Sequence, residues 1–219
     1  MKKTVVFVII CSMIMTLTAC VGSVPENQVN PPVTTVISEA TDATSAASGP
    51  GEESAKTGSG VKFAQEPVLL TSGGQSADFQ MVSAVLRNLE KEHIINELAE
   101  PEDLSGYSTL IVVVGGSSKG LGAAGIDAAE EIARLTRLLD AATAHDMYII
   151  TMHTGGEARR GDLSDRFITP VFAYGDHAIA VASGDADGYI SGITAANAIP
   201  MDIVEAFTDI VPVLKGLFS

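Results

Sequence analysis

Thr109-Leu110-Ile111-Val112-Val113-Val114 is the stretch on which the fold turns. Six residues run without a polar interruption, and most of them are β-branched. A strand with one wet face alternates apolar and polar, whereas an unbroken run of this length needs cover on both sides, as in the middle of a parallel sheet. Similar runs recur on either side of it, separated by segments of helical period. Before it, Pro67-Val68-Leu69-Leu70-Thr71 reads as a first strand, and Val82, Val85, Leu86 and Leu89 then fall at i, i+3, i+4, i+7 on a helix that starts after Ser76. A weaker second strand is expected near His93 to Leu98.

After the run, Asp127 can cap a helix whose inner face takes Ile132, Leu135, Leu138, Leu139 and Ala142, with Glu130 and Arg134 paired one turn apart on the outside. Met147–Met152 and His177–Val181 read as further strands, Leu163–Phe172 and Ile190–Asn197 as helices, and Met201–Glu205 as a short edge strand before a terminal helix. The pattern predicts a three-layer, doubly wound α/β sandwich with one parallel sheet of five or six strands. Ala99–Tyr107 is too short for a crossover helix with its loops, so the second and third strands need a reduced connection. The flavodoxin-like order 2-1-3-4-5 is expected, and a Rossmann-like order is the alternative.

The chain opens differently. Met1-Lys2-Lys3 precedes an apolar run from Thr4 to Ile14, and Met15-Thr16-Leu17-Thr18-Ala19 leads to Cys20. A charged start, an apolar core and a small-residue exit make a secretory signal peptide over residues 1–19. As a helix, Thr4–Ala19 reaches about 24 Å against a hydrocarbon core of about 30 Å, which is short for a span. Leu17-Thr18-Ala19-Cys20 resembles the bacterial lipobox, which implies lipid on the Cys20 thiol and cleavage in front of it. The only other cysteine, Cys11, leaves with the signal peptide, so the mature chain has no thiol for a disulfide, a nucleophile or a thiolate metal site. Residues 20–62 are dominated by Ser, Thr, Ala, Gly, Pro and Glu and read as a disordered linker, with a reach on the order of 35–40 Å. Residues 63–219 form one domain. The expected address is the cell envelope, with this domain outside the cytoplasm and held to the membrane by lipid.

The domain carries 22 acidic and 9 basic residues, a net charge of −13, within a chain of net charge −14. Nucleic acid is therefore excluded as a partner, and so is direct adhesion to an anionic membrane surface. In doubly wound sheets the ligand crevice lies at the carboxyl ends of the strands, where strand order reverses. Four loops at that edge are rich in glycine and small polar residues: Thr71–Ser76, Gly115–Gly125, His153–Gly161 and Ser183–Gly188. Glycine lets backbone N–H groups approach a ligand, and each following helix points its positive end the same way. Three of the basic residues, Lys119, Arg159 and Arg160, fall in these loops. A small anionic ligand is expected there, held by Ser72, Gly73, Gln75 and Ser76, by Ser117, Ser118 and Lys119, and by His153, Arg159 and Arg160. The competing reading is structural: glycines that turn the chain, and arginines paired with Glu157, Asp162 or Asp165.

Named motifs in the long third loop do not decide the matter. Gly120-Leu121-Gly122-Ala123-Ala124-Gly125 fits G-x-G-x-x-G but starts six residues after the strand and lacks the acidic residue at the end of the next one, where His153 stands. Gly116-Ser117-Ser118-Lys119-Gly120 fits G-x-S-x-G, yet about eight residues separate Ser118 from the helix expected at Asp127. Ser118 or Ser72 with His153 is the catalytic candidate for a hydrolase. A P-loop fails, because Lys119 is followed by glycine. Asp185-Ala186-Asp187-Gly188 reads as an Asx-type turn, and no metal or cofactor is expected. An interaction domain for another envelope protein is the third class of function.

Pro67–Ser76, the Gly115–Gly125 loop and Met152–Gly161 together resemble a bacterial family of exported proteins catalogued as domain of unknown function 6305. The resemblance covers Glu66–Phe218, and the family brings no established activity, cofactor or catalytic residue.

The anchoring expectation is tested by Cys20→Ala: the wild type should sediment with membranes and release on detergent, and the variant should appear in the soluble fraction. A variant that stays with the membrane sinks the lipid anchor.

Overall fold

The computed structural model describes residues 62–219; the expected signal peptide, Cys20 and all but the last residue of the expected linker lie outside the described residues. Six strands form one sheet in the order β2-β1-β3-β4-β5-β6, every neighbouring pair parallel. They are β1 (Val68–Gly73), β2 (His93–Ile95), β3 (Thr109–Val114), β4 (Tyr148–His153), β5 (His177–Val181) and β6 (Met201–Val204). This is the flavodoxin-like order with a sixth strand added at the far edge.

The unbroken run of β3 has the predicted cause. Leu110, Val112 and Val114 enter one core with Leu135, Leu138, Phe167 and Ile190, while Ile111 and Val113 enter the other with Val82, Leu86, Ile210 and Leu214. Alternate side chains thus leave opposite faces, and both faces are covered. Helices α1 (Phe79–Asn88) and α6 (Ile210–Leu217) pack on one side, and α3 (Ala128–Ala144), α4 (Asp162–Val171) and α5 (Tyr189–Ala196) on the other. The short link between β2 and β3 holds only a 3-10 turn, Pro101–Leu104, which buries Leu104. Among the described residues no helix is long and apolar enough to cross a membrane.

Two expectations need correction. The Gly115–Gly125 loop contains a helix, α2 (Ser118–Ala124), capped by Ser117, whose hydroxyl accepts from Gly120 N at 3.0 Å, and closed by Gly125 at φ +72°. Glycine content argues against a helix, but burial of Leu121 and the cap at each end override it. Ser118 therefore opens a helix four residues after β3 rather than sitting in a long loop.

The second correction concerns α3. Asp127 caps it as expected, accepting from Ala129 N and Glu130 N, and Glu130 returns the bond to Asp127 N. Glu130 does not pair with Arg134. Arg134 points inward and pairs with Glu131, because Glu131, Arg134, Leu135, Leu138 and Ala142 share one stripe at i, i+3, i+4, i+7 and i+11.

Candidate functional site

The order reversal lies between β1 and β3, and the loops leaving these strands are bonded to each other. Gly115 N donates to Gly73 O at 2.8 Å, Ser117 N to Gly74 O at 2.9 Å and Ser76 N to Gly115 O at 3.2 Å, with an antiparallel bridge between Gln75 and Gly116. The turn needs Gly74 at φ +99°, where a Cβ would strike the Phe167 ring and Gly115 O. Gln75 follows at φ +61°, a conformation that costs a non-glycine residue about 1–2 kcal/mol. Its side chain is held by two bonds, from Nε2 to Glu131 Oε1 at 3.0 Å and to Glu97 O at 3.1 Å. A Cβ on Gly120 would overlap the Gln75 carbonyl oxygen, so α2 seats directly on this turn. The crevice expected at the switch point is closed by the chain's own backbone.

Under the closed loops lie Glu131 and Arg134, both buried. Arg134 Nε donates to Glu131 Oε2 at 2.7 Å and Nη2 to Oε1 at 2.8 Å. The guanidinium also donates to Ser72 O and Ala99 O, each at 2.7 Å, and Glu131 Oε1 accepts from Gly74 N at 2.9 Å. One helix thereby fastens the end of β1, its turn, and the segment after β2. Neither residue belonged to the site as read from sequence. The signal was their place on the buried stripe of α3.

The residues nominated from sequence separate into three groups. Ser72, Gly73, Gln75, Ser76 and His153 are buried. Ser72 Oγ donates to Ser76 O, and Ser76 Oγ accepts from Asp78 N. Both ring nitrogens of His153 face carbonyls, Nδ1 to Val114 O at 3.0 Å and Nε2 to Gly156 O at 3.3 Å, and among the described residues the ring makes no hydrogen bond to a serine hydroxyl. Among the described residues the Ser–His hydrogen bond that does form is Ser83 Oγ to His93 Nε2 at 2.8 Å. It lies at the opposite edge of the sheet, where Ser83 is buried and also accepts from Arg87, and it ties α1 to β2.

The second group is committed to structure. Ser117 caps α2. Arg160 donates to Asp165, Asp187 and Gly184 O and lies 5.0 Å from the Tyr189 ring centroid. Its bonds to Asp165 and then Asp187 raise the guanidinium pKa further, and the same contact with Arg160 lowers that of Asp187. Asp185 accepts from Ile190 N at 2.6 Å and Ser191 N at 3.2 Å, fastening the start of α5, and the bond with Asx-turn spacing is made by Asp187, which accepts from Tyr189 N at 3.2 Å.

The third group stays available. Ser118 and Lys119 are exposed at the start of α2, and Lys119 has no ion pair among the described residues. The Arg159 side chain is 46% exposed; its ionic partner is Asp78 Oδ1 at 3.4 Å, and among the described residues the side chain makes no hydrogen bond. Asp78 was missed in the sequence because a lone acidic residue in an acidic chain reads as solvated surface. It is buried instead, packed against Gly115 and Gly155, and its Oδ2 has no partner, nor has the buried Thr154 hydroxyl. Beside Arg159 runs a groove of about 270 Å³ lined by Gly116, Gly161, Leu163 and Ser164. It ends on the first turn of α4, which starts from Gly161 with no side-chain cap.

The model of one family matches residues 65–218, and the chain belongs to it: Domain of unknown function (DUF6305). No curated protein matches the sequence. Among solved structures, a dTDP-4-dehydrorhamnose reductase from Clostridium acetobutylicum ATCC 824 is 9% identical, with 69% of this chain and 81% of that one covered and a TM-score of 0.37. A GDSL-like lipase from Bacteroides thetaiotaomicron VPI-5482 is 11% identical over 61% of this chain and 65% of its own, with a TM-score of 0.31. A psychrotrophic esterase from Pseudoalteromonas sp. is 7% identical over 68% and 92%, with a TM-score of 0.28.

Removing one partner of a buried, fully bonded ion pair leaves a charge without compensation and costs about 3–5 kcal/mol. Glu131→Gln and Arg134→Met should each lower stability by that order in urea unfolding, and their double variant by less than the sum. Additive losses would mean that the two side chains act independently.

Proposed function

We propose that this DUF6305 member is a lipid-anchored module of the bacterial envelope that binds a small anionic ligand at the C-terminal edge of its sheet. Cys20 carries the anchor, and Arg159 with the first turn of α4 forms the ligand site. The observation that carries the reading is the state of Arg159. Arg160, its neighbour, has its donors spent on Asp165, Asp187 and Gly184 O. Arg159 keeps its planar fork half in solvent over a groove that ends on an uncapped helix N-terminus. A guanidinium fork and unpaired first-turn N–H groups both favour a carboxylate or phosphate oxygen. Asp78, at 3.4 Å, aims the fork without a hydrogen bond that a ligand must break. Lys119 adds a second exposed cation at the same edge of the sheet.

Binding is favoured over hydrolysis because the buried His153 ring is turned to two carbonyls, and among the described residues it makes no hydrogen bond to a serine hydroxyl. General-base activation of Ser72 or Ser118 needs that contact.

The test separates the two arginines. Inorganic phosphate, sulfate and succinate are titrated against the purified protein while thermal unfolding is followed. At about 100 times Kd a ligand adds about 2.7 kcal/mol, a rise in Tm of about 5–10 °C for a domain of this size. Arg159→Ala leaves the buried Asp78 without its cation, so its ligand-free Tm should fall, and the anion-dependent rise should be lost. Arg160→Ala should also unfold earlier but keep the anion-dependent rise. An equal rise in wild type and Arg159→Ala, or no saturable rise with any of the three anions, removes the proposed site.

A further inference from the structure

β2 is an open edge. It pairs with β1 through His93, Ile94 and Ile95 and, among the described residues, has no strand on its outer side. Sheet edges are commonly blunted by charge within the strand. This one instead leaves Ile94 54% and Ile95 39% exposed. Just beyond the strand, Ile95 and Leu98 face Ala123 and Ala124 of α2 across a groove of about 470 Å³. Leu98 also borders a second groove of about 370 Å³, lined on the α3 side by Ile126 and Ala133. Leu98 lines both grooves, which puts them side by side as one track. The small side chains of α2, in Ser118-Lys119-Gly120-Leu121-Gly122-Ala123-Ala124, keep its wall low.

The rim of that track is acidic. From Glu92 to Asp103 the chain has five carboxylates and no lysine or arginine, and Glu130 adds another across the second groove. Of the cations nearby, Arg137 pairs with Glu100 at 3.0 Å and Arg134 is buried against Glu131, which leaves Lys119 on α2 as a single exposed cation against these carboxylates.

We infer that this face docks an extended segment of a partner protein in which apolar residues alternate with lysine or arginine. Such a segment adds to β2 through its backbone, lays its apolar side chains over Ile95 and Leu98, and meets the rim carboxylates with its cations. Two copies of this chain are a poorer fit, because face-to-face contact sets Glu97, Glu100 and Glu130 against their own images. The surface lies apart from Arg159 and does not rest on the anion site.

The experiment measures fluorescence anisotropy of a labelled Lys-Val-Lys-Val-Lys-Val-Lys peptide against the full chain in neutral detergent micelles. Saturable binding is expected, with none for the Glu-Val-Glu-Val-Glu-Val-Glu counterpart. Leu98→Asp and Glu97→Lys should each weaken it about tenfold, whereas Glu205→Lys, an equal charge change on an exposed position after β6, should leave it within about twofold. Equal weakening by Glu97→Lys and Glu205→Lys would show attraction to net charge alone and overturn the docking surface. So would an absence of binding, or a dimer of the chain that Leu98→Asp dissociates.

Discussion

A carboxylate and a guanidinium can leave water together only if nearly every lone pair and proton they carry finds a partner. Glu131 and Arg134 meet that condition at the point where the sheet reverses its strand order. Between them they take Gly74 N, the Gln75 amide, Ser72 O and Ala99 O as well as each other. The geometry leaves little choice about what lies above. β1 must end where Arg134 can reach Ser72 O, the chain must then turn through Gly74 and Gln75 in left-handed backbone, and the β3 loop must close over that turn with Gly115 and Gly116. A hydrophobic pair of similar volume would stabilise the core as well or better. It would not single out this loop conformation, because apolar contacts have no direction.

Closing the switch point relocates whatever binding the C-terminal edge supports. In an open doubly wound sheet the crevice between β1 and β3 is the natural pocket. Here it is filled by backbone hydrogen bonds and the Gln75 side chain, and the accessible depressions lie to either side of it. One has an arginine and the start of α4; the other has isoleucine, leucine, alanine and a carboxylate rim. The same plug separates them, so their chemistry differs although both belong to one edge of one sheet.

The strands were legible from sequence because burial on both faces forces uninterrupted apolar runs, and β3 and β5 begin and end at the residues expected. The cap at Asp127 follows from side-chain chemistry that short-range sequence displays, whereas Ser117 was read as part of a ligand loop and caps α2 instead. What stayed hidden depends on contacts distant in the chain. α2 is a poor helix by composition and exists because Leu121 is buried and Gly120 meets Gln75. Arg134 looks like a surface partner for Glu130 until the helical stripe is extended to Glu131. Arg160 and Arg159 are adjacent and chemically identical, and only the positions of Asp165 and Asp187 distinguish a structural arginine from an available one. The crevice was misjudged for the same reason: glycine-rich loops can admit a ligand or each other, and sequence shows only that something approaches closely.

The two edges of the sheet divide the work. Lys62 is fixed at the N-terminal edge, with Nζ donating to Met147 O at 2.8 Å and paired with Asp146 and Asp176. Whatever precedes it joins the domain there. β1 carries the backbone about 20 Å from that edge to the loops, at roughly 3.3 Å per residue. The chain therefore enters this domain at the edge opposite the one where the Arg159 groove opens.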